Sequence, residues 1–221
     1  DIVTGLAIKQ MFVTEQPRLR RRMRDLWEHS ARVAANCSVL ARHQGGFDPE
    51  QALLAGLVHD IGELAIIKYA DAFSPSELTD ESLAKTIKLL GAKLGALMLR
   101  QWKLDDELVF AALHADAFDR ASESVVRLVD LVQVAQLHLL SNTPQTEVLN
   151  ITQLSVVKNL GLDLDESGRG FALQMCLKRQ VFSRMSFIQH IMGRMVICRE
   201  IQPSCQSLVA YQSIRRWAVK T

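Results

Sequence analysis

The chain has 221 residues, of which 48% are hydrophobic and 23% charged. That length accommodates one domain or a domain with an appendage, and that balance excludes a chain disordered throughout, because disorder goes with low hydrophobicity and high net charge. Its 26 basic and 24 acidic residues leave a formal charge of +2, too even for a dedicated nucleic-acid binder.

Strand-like alternation is nearly absent, and the apolar period is helical almost throughout. Ile2 to Val13 reads as a short helix ending before Pro17, and Leu19 to His43 as a long one stopped at Gly45-Gly46. Asp48-Pro49-Glu50 opens the next, with Asp48 as N-cap and Pro49 in the first turn. That helix runs to His59-Asp60 and is expected to break at Gly62, with Glu63 to Ala70 continuing it. After a turn at Ser74-Pro75, a helix starts near Thr79 and reaches about Trp102. Asp105 caps another through about His114, and Ser122 or Ser124 opens one to about Leu140. The predicted fold is all-α, a compact multi-helix bundle.

The polar stretch Asp165-Glu166-Ser167-Gly168-Arg169-Gly170 marks a boundary. Residues 1–163 are predicted to form the helical core and residues 164–221 a helical C-terminal segment. Within that segment Val181, Met185, Ile188, Met192 and Met195 make one apolar seam on a helix, suited to core packing, self-association or a protein partner. No apolar run reaches the roughly 18 residues of a membrane span. The nearest, Leu53 to Ile67, contains His59, Asp60 and Glu63. Cys37, Cys176, Cys198 and Cys205 include no C-x-x-C pair, which predicts reduced thiols in a cytoplasmic protein. The opening Asp1-Ile2-Val3-Thr4 lacks a basic stretch, so no signal peptide is expected.

The chemistry-bearing residues centre on His59-Asp60. Neighbours on a regular helix point about 100° apart, so the two converge on one ion only where the helix ends or distorts. His29 lies 30 residues upstream and Asp130 70 residues downstream, both in strongly apolar helices where an unpaired charge is costly. Two imidazoles and two carboxylates from three helices form an N,N,O,O set, which suits one divalent Mn, Fe, Zn or Ni ion. The run Arg18, Arg20, Arg21, Arg22, Arg24 reads as a solvated face, Trp27 and Trp102 as core anchors, and His43, His138 and His190 as structural or surface residues.

Four segments in order carry a family likeness. They are Leu26-Trp27-Glu28-His29-Ser30-Ala31-Arg32-Val33-Ala34, Ala55-Gly56-Leu57-Val58-His59-Asp60-Ile61-Gly62-Glu63-Leu64, Leu94-Gly95-Ala96-Leu97-Met98-Leu99-Arg100-Gln101-Trp102-Lys103-Leu104 and Ala111-Ala112-Leu113-His114. Together they resemble the HD superfamily of metal-dependent phosphohydrolases, and most closely its HDOD (HD-related output domain) branch. The resemblance implies an HD-type bundle without the further helical subdomain that usually begins such domains. It implies His29, His59, Asp60 and Asp130 as metal ligands, with Asp60 the catalytic carboxylate if the site is active. His114 falls where many HD enzymes carry a His-His pair for a second metal, but its neighbour is Ala115. Glu63 stands where catalytic members often have Lys. The function implied is a bacterial signal-transduction output module with little or no catalysis. The alternative is a metal-dependent phosphohydrolase acting on a nucleotide or cyclic nucleotide.

Overall fold

The computed structural model describes residues 14, 16–74, 76–118, 120, 125–140, 156 and 160. All lie in the first of the two units, 1–185 and 186–221, into which the backbone divides. The predicted helix over Ile2 to Val13, the Met seam, and Cys176, Cys198, Cys205 and His190 lie outside the described residues.

Six helices build the described part, and no strand occurs among these residues. Helix α1 spans Pro17–Gln44, α2 Pro49–Val58, α3 Ile61–Ala70, α4 Asp80–Gln101, α5 Asp106–His114 and α6 Leu128–Leu140. The predicted caps form. The side chains of Asp48, Thr79 and Asp105 accept the backbone N–H groups of Glu50, Ser82 and Glu107, each satisfying a donor that a helix start leaves unpaired. Helix α1 ends at Gly45, whose φ of 70° few other residues tolerate, with its N–H donating to the Ala41 carbonyl.

Helix α6 is enclosed over most of its length, packing on α1, α2 and α5, with Asp130, Gln133 and Gln136 buried among its apolar residues. Val129, Leu131, Val132 and Leu137 join Val33, Cys37, Leu40, Ala52, Ala55 and Leu108 in one core. Helices α3 and α4 pair beside it, with α4 also on α5 and α3 on α1.

Four expectations are corrected. The chain leaves helical geometry at Asp60, with φ −105° and ψ 20°, whereas Gly62 sits within the first turn of α3. Gly62 is there for proximity: a Cβ on it would lie 1.9 Å from the Gly91 carbonyl oxygen and 2.6 Å from the Gly95 nitrogen of α4. Helix α6 begins at Leu128, later than Ser122 or Ser124, because Asp130 folds back to accept the Arg127 N–H. Trp27 is a core residue, but Trp102 at the end of α4 is 39% exposed. The Arg run is divided in its roles. Arg18 donates to the carbonyls of Leu78 and Phe73, holding α1 to the loop before α4, and Arg22 reaches Glu63 on α3.

Candidate metal centre

His29 projects from the middle of α1, and His59 and Asp60 form the break between α2 and α3. The change in backbone direction at Asp60 lets two successive side chains meet the same point. His59 Nε2 lies 3.3 Å from His29 Nε2 and 3.1 Å from Asp60 Oδ2, with His29 Nε2 3.8 Å from the same oxygen. Close approach of α1 and α2 permits this: a Cβ on Gly56 would fall 2.5 Å from the Ala34 Cα. His59 is fully enclosed, while His29 and Asp60 keep an open edge.

The hydrogen bonding of His59 determines what this centre can hold. Its Nδ1 lies 2.8 Å from the Gly56 carbonyl oxygen, which can only accept, so Nδ1 carries a proton. A neutral His59 then turns its Nε2 lone pair toward the Asp60 carboxylate and the His29 ring. Without a cation, a proton donated by the His29 Nε2 or a second proton on His59 would relieve that repulsion. Burial alone lowers the pKa of His59, but the charge and hydrogen bond of Asp60 override it and raise it above the usual histidine value. Burial would raise Asp60, yet His59 and then His29 hold it below the ordinary carboxylate range. His29 is lowered by burial and by the positive charge of His59, against the pull of Asp60. A divalent ion satisfies all three ligand atoms without the extra proton, and the backbone bond at Nδ1 is the kind of outer contact that orients metal-binding histidines. The donor set therefore fits a divalent cation, and it is the grouping with metal-ligand geometry among the described residues.

Two further carboxyls face this centre. Glu63, one turn into α3, is 3.3 Å from Arg22. Burial and the charge of Asp60 raise its pKa against that of Arg22. Asp116 was not anticipated from the sequence. It follows α5 in a turn whose carbonyls at His114 and Ala117 both accept from Gln133 Nε2, while that of Ala115 accepts from Gln136. Although Asp116 is exposed over much of its surface, protein around its carboxyl and the charge of Asp60 raise its pKa against the pull of His59. A carboxylate two residues beyond a motif histidine was the available signal.

The remaining predicted residues lie elsewhere. Asp130 is buried in α6, one oxygen paired with Arg120 and the other 2.7 Å from the Arg127 N–H. The centre thus brings together three of the four residues the sequence pattern placed on one ion. His114 stacks on Phe110, ring centroids 4.3 Å apart, and is not in the cluster. Arg127 covers the same Phe110 ring at 3.5 Å and pairs with Glu107, which ties the segment before α6 to α5.

An all-α bundle with a His from one helix and a His-Asp step between two others defines an HD-type domain. The model of the HDOD domain matches residues 1–118, more than half of the chain, and the protein belongs to that family. Asp130 and Arg120 lie past the matched stretch. A similar solved structure is a protein from Shewanella amazonensis SB2B, provisionally named a metal-dependent phosphohydrolase. It shares 21% identity at a TM-score of 0.67, over 81% of this chain and 65% of that one. At that identity the likeness speaks for the fold, and this chain spans less than two thirds of its length. No curated protein matches the chain. No helix among the described residues is long and apolar enough to cross a membrane.

The raised His59 pKa favours a second proton on the metal-free ring, which a metal ion must displace, so affinity should rise with pH. Titration calorimetry in two buffers of different ionisation enthalpy should report proton release when the ion binds. Identical enthalpies after buffer correction would refute it.

Proposed function

We propose that this protein is a bacterial, cytoplasmic signal-transduction output domain whose HD-type centre binds one divalent ion and has little or no hydrolytic activity. The observation that carries the reading is the convergence of His29, His59 and Asp60 lone pairs on one point, with two further carboxyls beside it and the nearby Arg22 paired with one of them. Mn, Fe, Zn and Ni all suit two imidazoles and a carboxylate. Such an ion, when bound, supplies positive charge and an acidified water. His59 and His29 present neutral nitrogens to it, Asp60 supplies negative charge, and the Gly56 carbonyl holds the His59 ring in its tautomer.

Efficient phosphoryl transfer needs several positive groups on the developing oxygens. Here Arg22 is engaged by Glu63 and Arg120 by Asp130, while His114 lies against Phe110. That arrangement favours recognition over turnover, with a protein partner or a second copy receiving the signal. The second reading, a phosphohydrolase for a nucleotide or cyclic nucleotide, keeps the support of the same three ligands.

Metal analysis of protein purified without chelators, beside His59→Ala, separates the two when combined with a phosphodiester assay. The expected result is about one ion per chain, reduced at least tenfold in occupancy by the substitution, with negligible turnover of nucleotides or cyclic dinucleotides in either protein. Hydrolysis that disappears in His59→Ala would establish the enzyme instead. Glu63→Lys is expected to leave activity negligible, since it adds one charge without a second metal position.

A further inference from the structure

Helix α4 packs on α3 and α5 and buries Leu83, Gly95, Ala96 and Leu99. Its outer side carries the exposed leucines of the described residues: Leu89 is 71% exposed, and Leu90 and Leu97 are each 50% exposed. At about 100° per residue, Leu89, Arg100, Lys93, Leu97 and Leu90 fall in that order across one arc of about 100°. Leu90 and Leu97 stand seven residues apart, as do Lys93 and Arg100, the interval at which side chains recur along a partner helix. Neither Lys93 nor Arg100 makes an ion pair or hydrogen bond with a described residue. From Ser82 to Leu104 the chain has Lys85, Lys88, Lys93, Arg100 and Lys103 and no acidic residue, with Lys85 alone paired back to Glu81.

We propose that the outer arc of α4 is the docking surface for an acidic, leucine-bearing helix of another protein, whose carboxylates meet Lys93 and Arg100 while its leucines cover Leu89, Leu90 and Leu97. This surface rests on the output-domain reading above for its purpose, and it gives the protein partner of that reading a place and a chemistry. Its contacts do not involve the metal centre.

Charge selects among the occupants. A second copy of α4 would set Lys93 and Arg100 against the same cations. Residues 164–221 of this chain hold nine basic and three acidic residues, the same sign again. A helix that lies on a bilayer keeps its cations on the polar face and its apolar side chains on the other. Here both cations stand between the leucines, so burying the leucines in lipid would carry the charges in with them. An acidic helix meets both kinds of side chain at once, and complementary charge fixes its register.

The test uses the full chain and a fluorescent three-heptad peptide, Leu-Ala-Gln-Glu-Leu-Gln-Ala in each heptad, beside a twin with Lys in place of Glu. Binding is read from anisotropy. The Glu peptide should bind at least about tenfold more tightly than its twin, with an affinity that falls as salt rises. Lys93→Glu with Arg100→Glu should invert that preference. Leu97→Ser should weaken the Glu peptide by about three- to tenfold. Lys88→Glu, on α4 but outside the arc, should retain the preference. All are exposed positions, so the denaturation midpoint should hold. No binding of the Glu peptide, equal binding of both peptides, or a preference that survives the double reversal would overturn the proposal. Cosedimentation with phosphatidylserine–phosphatidylcholine vesicles that is lost in Leu97→Ser would assign the arc to a membrane instead. A dimer in sedimentation velocity that dissociates in Lys93→Glu would assign it to a second copy. Hydrolysis lost in His59→Ala would overturn the output-domain reading without altering any of these peptide measurements.

Discussion

Replacing Gly62 with alanine is expected to cost at least about 3 kcal/mol of folding free energy, a large share of the 5–15 kcal/mol that typical domains possess. The added Cβ would meet the Gly91 carbonyl oxygen at 1.9 Å and the Gly95 nitrogen at 2.6 Å. Both are backbone atoms, so no side chain can rotate away, and α3 must move off α4. Because α3 begins immediately after Asp60, that movement should also spread the three ligand atoms and weaken metal binding. Gly91→Ala provides the control. Its Cβ meets nothing nearer than 3.9 Å, and an alanine inside a helix gains up to about 1 kcal/mol over glycine. Urea denaturation of the two variants should therefore give shifts of opposite sign. A Gly62→Ala protein as stable as the parent would show that the helix contact is looser than described.

Asp130→Ala is expected to cost about 3–5 kcal/mol, because it leaves the Arg120 guanidinium without its carboxylate next to the core. The same change removes the acceptor of the Arg127 N–H at the start of α6. Removing both charges in Arg120→Met with Asp130→Leu should recover much of that loss, as is common when a buried pair is replaced by apolar groups. Metal affinity separates the two roles available to Asp130. If its carboxylate serves the bundle, Asp130→Ala at a temperature where it remains folded should bind metal nearly as well as the parent, and metal should still raise its denaturation midpoint. Loss of metal binding without loss of metal-free stability would restore Asp130 to the ligand set.

Helix positions and the nucleus of the centre were legible in the sequence because both are local. Apolar periodicity marked α1 through α6, and Asp48, Thr79 and Asp105 capped where their side chains could reach N–H groups two or three residues on. The His59-Asp60 doublet likewise carried its own requirement for a helix break. The position of that break was less legible, since a glycine in a sequence signals either conformational freedom or proximity. Only the α3–α4 contact shows that Gly62 serves proximity.

What the tertiary structure decided was the pairing of charges across distant segments. Periodicity places Asp130 on a buried helix but does not say which cation it meets there. Arg120, ten residues earlier, takes it, as Arg22 takes Glu63 from 41 residues away. Asp116 enters the field of His59 because two buried glutamines of α6 hold its turn by the carbonyls. The sequence by itself determined an all-α HDOD domain and pointed to His29, His59, Asp60 and Asp130 for one ion, of which the structure gathers the first three. Which other charged groups reach that centre was settled by packing, because electrostatic partnership depends on distance in space and on burial, neither of which is a property of sequence spacing.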